Sequence, residues 1–93
     1  MTIQGTVVEV GETQQVSETF KKRDLVVRYA ENEEYPEFIK FELLQDKTGL
    51  ADDLPAGTEV SVDFNLRGRA WTNKAGKTDY FNSLVVWRIS LVE

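Results

Sequence analysis

Neither histidine nor cysteine occurs in the 93 residues of this chain. Their absence removes catalytic triads built on imidazole, thiolate nucleophiles, and zinc sites with nitrogen or sulfur ligands. Disulfides are excluded too, which fits a reducing cytosol and makes a cytoplasmic protein the expectation. Proline occurs only twice and no low-complexity tract interrupts the chain, so one ordered domain spanning 1–93 is expected. No apolar stretch approaches the ~20 residues that cross a bilayer. Met1-Thr2-Ile3-Gln4-Gly5 lacks the cationic segment and apolar run of a secretory leader, so no membrane partner is expected. Gly68 and Gly76 are isolated, with no Walker or dinucleotide pattern around them, and are read as a bulge and a turn. Calcium-loop spacing is missing as well. Glu33-Glu34 and Asp52-Asp53 are the remaining candidates for acid–base work, but adjacent acids in polar loops are ordinarily solvated charge. The expectation is a binding protein and not an enzyme, with no cofactor and no metal.

The net charge of −5 argues against coating duplex DNA through bulk electrostatics, because non-specific affinity comes from cations that neutralise phosphates. Segregation of charge matters more than its sum. Acids gather at Glu31, Glu33, Glu34 and Glu37 and at Asp46, Asp52 and Asp53, whereas bases gather at Lys21 to Arg23 and between Arg67 and Arg88. A local basic trough is therefore compatible with an acidic chain.

The residues from Arg67 to Ile89 are the most informative. Arg67, Arg69, Lys74, Lys77 and Arg88 are interleaved there with Trp71, Tyr80, Phe81 and Trp87. Single-stranded nucleic acid offers a phosphate backbone and loose bases, so a surface that binds it needs cations along a groove and flat rings for stacking. One hairpin supplies both.

Apolar periodicity organises the remainder. Ile3 to Val10 is a β-rich run in which Gly5 suits a bend or bulge; Gly11 to Thr19 is polar and turn-like; Phe20 to Tyr29 is a second strand built on Leu25-Val26-Val27. Pro36 precedes a third strand, Phe38 to Leu44, in which Ile39, Phe41 and Leu43 share one face. Asp46 to Leu54 reads as a short helix or helical turn with Asp46 able to cap its start, and Leu50 and Leu54 four apart to plug one end of a barrel. Val60, Val62, Phe64 and Leu66 alternate with polar residues in a fourth strand, and the Asn73 to Lys77 turn leads to a fifth, Thr78 to Val92. Three strands, a short helix and two strands match a five-stranded all-β OB-fold barrel with one short helix between strands three and four. SH3-like barrels, the main alternative, place a brief helical turn before the last strand instead.

Gly68-Arg69-Ala70-Trp71-Thr72-Asn73-Lys74-Ala75-Gly76-Lys77-Thr78-Asp79-Tyr80-Phe81 resembles the segment of bacterial single-stranded DNA-binding proteins that runs from the fourth strand through a loop into the fifth. Over nearly its whole length the chain also resembles a family of short, uncharacterised bacterial domains predicted to be OB-folds of this type. The matching features include Gly5 before Val-Val-Glu-Val, Phe20-Lys21-Lys22, Tyr35-Pro36, Phe41-Glu42, Asp46-Lys47, Val60 to Phe64 and Trp87-Arg88-Ile89. The resemblance implies binding of single-stranded DNA, with RNA as an open alternative, and a homodimer or homotetramer. Three features depart from it. The sequence ends at Glu93 directly after the last strand, so recruitment of partners through an acidic tail is not expected. Glu37 and Phe38 stand where more positive charge is expected, and the Glu31 to Glu37 loop would repel a polyanion passing close to it.

Among the ten aromatics about six are expected in the core, including Phe41, Phe64, Trp87 and Phe81. Trp71 shares strand parity with Arg67 and Arg69 and is the first choice for stacking on a base. Tyr80 follows across the turn, either as a second stacking ring or as a cross-strand partner of Trp71. Phe20 shares parity with Lys22 at the start of the second strand. The expected nucleic-acid-binding set is Phe20, Lys22, Lys40, Arg67, Arg69, Trp71, Lys74, Lys77 and Tyr80. Arg28 and Arg88 are expected to pair with carboxylates. The rival reading is a protein-interaction module whose exposed aromatics dock a partner chain.

Overall fold

The computed structural model describes residues 1–92. Its elements are β1 (Thr2–Val10), β2 (Gln14–Ser17), β3 (Phe20–Tyr29), β4 (Glu37–Leu44), a 3₁₀ helix (Gln45–Ala51), β5 (Glu59–Thr72) and β6 (Thr78–Leu91). β1 pairs with β5 through Thr2 to Thr6 and with β3 through Thr6 to Val10, which closes the sheet in the order β1-β5-β6-β4-β3. β4 and β6 run parallel, in ladder register at Glu42 and Val85; every other pairing among the described residues is antiparallel. This is the expected OB-fold, with the helix between the third and fourth strands of the barrel.

The β-branched and aromatic alternation of the sequence dictates the core. Leu25 faces Phe41 and Val27 faces Ile39 across β3 and β4, while Val60, Val62 and Phe64 come in from β5 and Val7 and Val86 close the sides. Full burial of a Val, Leu or Phe side chain is worth about 1.5–3 kcal/mol, so these residues set the barrel's stability. The rings of Phe41 and Phe64 meet edge to face, 5.1 Å between centroids at 61°. Where β1 passes from one neighbour to the other, Gly5 lies so close to β3 that a Cβ would sit 2.5 Å from both the Arg28 carbonyl oxygen and a Val27 methyl. Only glycine fits that crossing.

Four expectations change. The polar run 11–19 is not all turn: it contains β2, which adds to the outer edge of β3 through a hairpin turned at Glu18-Thr19. The helix is 3₁₀ and begins at Gln45, and no side chain caps it, Asp46 included. Its inward contacts come from Thr48 and Ala51, while Leu50 stays exposed and Leu54, beyond the helix, packs partly against the core. The three-residue spacing of a 3₁₀ turn accounts for this, since it brings positions 48 and 51 to one side. Gly68 stands in unbroken register opposite Asn82; the bulge in this ribbon falls instead at Trp87, where Asp63 pairs with Arg88 but Phe64 with Val86.

Candidate nucleic-acid interface

Residues paired across a sheet share a face, so the core residues also define what points outward. Asp24 opposes Glu42, Val26 opposes Lys40 and Lys22 opposes Leu44, all on the outer side of β3 and β4; Glu42 meets Val85 of β6, and Val85 opposes Asn65. Continuing along the β5–β6 ribbon on the same parity are the pairs Arg67 with Ser83, Arg69 with Phe81 and Trp71 with Asp79. Beyond Phe64 and Val86 Leu84 still packs against the core, and from Arg67 to Thr72 and from Asp79 to Asn82 the ribbon projects from the barrel with both faces in solvent. One continuous outer surface thus carries Phe20, Lys22, Lys40, Arg67, Arg69 and Trp71.

Trp71 is 54% exposed and Phe81 48% exposed. The Arg69 guanidinium lies over the Phe81 ring, its central carbon 5.3 Å from the centroid. Below them a groove of about 480 Å³ is lined by Glu42, Arg67, Arg69, Phe81 and Ser83. At the tip, Asn73 organises the turn: its side-chain oxygen accepts from the backbone N–H groups of Ala75 and Lys77, both at 3.0 Å, and Gly76 takes the left-handed conformation at φ 84°. Lys74 and Lys77 are presented on this rigid loop. At the other end of the face Gln45, itself left-handed at φ 54°, clamps the turn before Phe20. Its amide donates to the Thr19 carbonyl at 2.8 Å and accepts from the Lys21 N–H at 3.2 Å, offsetting that backbone strain.

Ion pairing separates the cations into two groups. Arg23 is tied to the Gly11 and Thr48 carbonyls and to Asp52, Arg28 to Glu33 at 2.8 Å, and Arg88 to Asp63 at 2.6 Å. The last two are the expected pairings. Lys22 makes a long contact of 3.8 Å with Glu42. Among the described residues, Lys40, Arg67, Arg69, Lys74 and Lys77 pair with no carboxylate. Asp63 is buried and accepts from the Thr2 hydroxyl and from Arg88; these bonds hold its carboxyl below the ordinary range despite desolvation. A second cavity, of about 190 Å³, lies near Gln4, Thr6, Glu59 and the Arg28–Glu33 pair and holds none of the expected site residues.

Several placements correct the sequence reading. Tyr80 opposes Ala70 and not Trp71; although 77% exposed, it faces the reverse side of the ribbon and pairs with no ring. Phe81 and Trp87, expected in the core, are exposed. Trp87 owes its position to the bulge: the core parity runs Leu84, Val86, Ile89, and the extra residue turns the indole out against Arg88, 5.3 Å from ring centroid to guanidinium carbon. Of the ten aromatics only Phe41 and Phe64 are buried, and six are exposed, including Tyr35 and Phe38. Phe81 is the functional candidate that sequence reasoning missed. Its register opposite Arg69 was the available signal.

A family described as "Domain of unknown function (DUF3127)" matches residues 2–90. The chain belongs to that family. No curated protein matches it in sequence. Among solved structures, the chain is similar to the mitochondrial single-stranded DNA-binding protein Rim1 of S. cerevisiae, with a TM-score of 0.73 and 14% identity over 100% of this chain and 93% of that one. It is also similar to the SSB domain of a Synechococcus sp. protein, at a TM-score of 0.69 and 21% identity over 96% of this chain and 90% of the other. At these identities the likeness establishes the OB-fold. Among the described residues no helix is long and apolar enough to cross a membrane.

Proposed function

We propose that this member of the DUF3127 family binds single-stranded DNA, with little sequence preference along most of the strand. Bases stack on Trp71 and Phe81 and, at the far end of the face, on Phe20. Arg67, Arg69, Lys40, Lys74 and Lys77 follow the phosphates, and Lys22 joins them when it leaves Glu42. The observation that carries this reading is the coincidence on one outer face of exposed rings with cations free of carboxylate partners. Paired arginines would already be neutralised; these are not. The single-stranded DNA-binding relatives in structure support the same reading. Tyr80 drops out of the proposed site because it faces the other way. Asp52 and Asp53 line a further cavity of about 380 Å³, but Asp52 is tied to Arg23 at 2.7 Å, and binding without catalysis is the role proposed.

Titration of a fluorescent oligo-dT at two ionic strengths tests the proposal. Affinity should fall steeply as salt rises, since each neutralised phosphate releases counterions; absence of binding at low salt would overturn it. Parallel titrations with RNA and duplex define the partner. A second reading, docking of a protein chain, is favoured by Leu66 and Tyr80, both exposed on the reverse of the ribbon; contact there would respond little to salt. A two-fold assembly would lengthen the trough by joining two faces, and light scattering measures it.

A further inference from the structure

Three carboxylates, Asp24, Glu42 and Asp79, lie on the outer face, and of these Glu42 is the one that lines the groove. Glu42 lies on the same outer face as Lys40, Arg67 and Arg69 and lines the groove beneath Phe81. A carboxylate there repels a polyanion, and its only cationic partner among the described residues, Lys22, is 3.8 Å away with both side chains partly exposed. Ion pairs this long and this exposed contribute little, too little to hold Glu42 against a better partner.

We infer that the groove is a base-reading subsite selective for guanine, with Glu42 as the residue that reads it. A carboxylate has two acceptor oxygens side by side, and guanine alone among the DNA bases presents two adjacent donors, N1–H and N2–H₂, on its Watson–Crick edge. Its O6 and N7 acceptors meet Arg67, which lines the same groove and at this one nucleotide donates to the base in place of a phosphate, and its plane stacks against the Phe81–Arg69 pair. Thymine offers one N–H between two carbonyls, which a carboxylate repels. Cytosine and adenine each offer an amino group beside an acceptor nitrogen. The rest of the strand is read only by stacking and phosphate contact, so selectivity is confined to one nucleotide.

This inference rests on the proposed binding of single-stranded DNA, and one experiment separates the two. Labelled oligo-dT is compared with oligonucleotides of the same length in which isolated dG, dC or dA replaces every fourth thymine, for the wild-type protein, Glu42→Gln and Glu42→Asp. The wild type should bind the dG oligonucleotide tighter than the other three by about 5-fold or more. Glu42→Gln, which loses one acceptor and the charge, should abolish that margin. Glu42→Asp, which keeps the charge but withdraws the carboxylate, should reduce it. Binding of all four oligonucleotides with equal affinity overturns the guanine subsite and leaves the proposed function standing; so does a Glu42→Gln variant that gains affinity for all four equally while the margin for dG persists. Binding of none overturns both.

Discussion

Arg69 lies over the ring of Phe81, with 5.3 Å between the guanidinium carbon and the ring centroid, and the two occupy directly opposed positions on β5 and β6. The pair combines the two kinds of contact a single strand needs, a charge for the phosphate and a flat surface for the base. Phe81→Ala should weaken oligo-dT binding by about 1–3 kcal/mol. Arg69→Ala should lower the slope of log K against log salt by about one. Unaltered affinity and slope in titrations of both variants would place the pair outside the interface.

Trp71 and Tyr80 flank the same turn and differ by face alone. Trp71→Ala should weaken oligo-dT binding by about 1–3 kcal/mol, whereas Tyr80→Ala should have little effect, because Tyr80 opposes Ala70 on the reverse side. Equal losses in a fluorescence titration would mean that the strand wraps both faces of the ribbon.

The barrel was legible because strict alternation at Ile39, Phe41 and Leu43 and at Val60, Val62 and Phe64 leaves one inward face for each strand. The outward parity of Arg67, Arg69 and Trp71 followed from the same rule. That rule failed at Trp87, where one extra residue inverts the parity and nothing in the residue types marks the bulge. It also failed to assign Phe81, because parity separates two faces but does not tell which is covered. Coverage depends on where the ribbon leaves the barrel, which is a tertiary property. The β2 hairpin was hidden for a related reason: Gln14 to Ser17 is fully exposed and carries no apolar alternation. Its pairing with β3 is fixed by backbone bonds.

Gly5 tests the barrel's closure. Gly5→Ala places a methyl 2.5 Å from the Arg28 carbonyl oxygen, which is backbone and cannot swing aside. Destabilisation of about 1–3 kcal/mol is expected, as for other overpacked cores. Urea denaturation measures it, and an unchanged midpoint would show that β1 does not cross β3 so closely.

Asp63 should make stability depend on acid. Its carboxyl is held low by the Thr2 hydroxyl and then by Arg88, so its contribution is complete above the ordinary carboxylate pKa of about 3.9 and is lost as pH falls through the depressed folded-state value. Asp63→Asn should be less stable than wild type at neutral pH, and the gap in Tm should narrow below about pH 4. A gap that stays constant down to pH 2 would mean that the bonds to Thr2 and Arg88 do not depend on the charge.

The chain contains two tryptophans, so replacing Trp87 with phenylalanine leaves Trp71 as the single indole reporter. Emission from that variant, titrated with oligo-dT at low salt, measures the stacking contact on which the proposed function depends. Saturable quenching that is reversed by added salt is the predicted result; emission that stays constant while the labelled oligonucleotide is bound would contradict it.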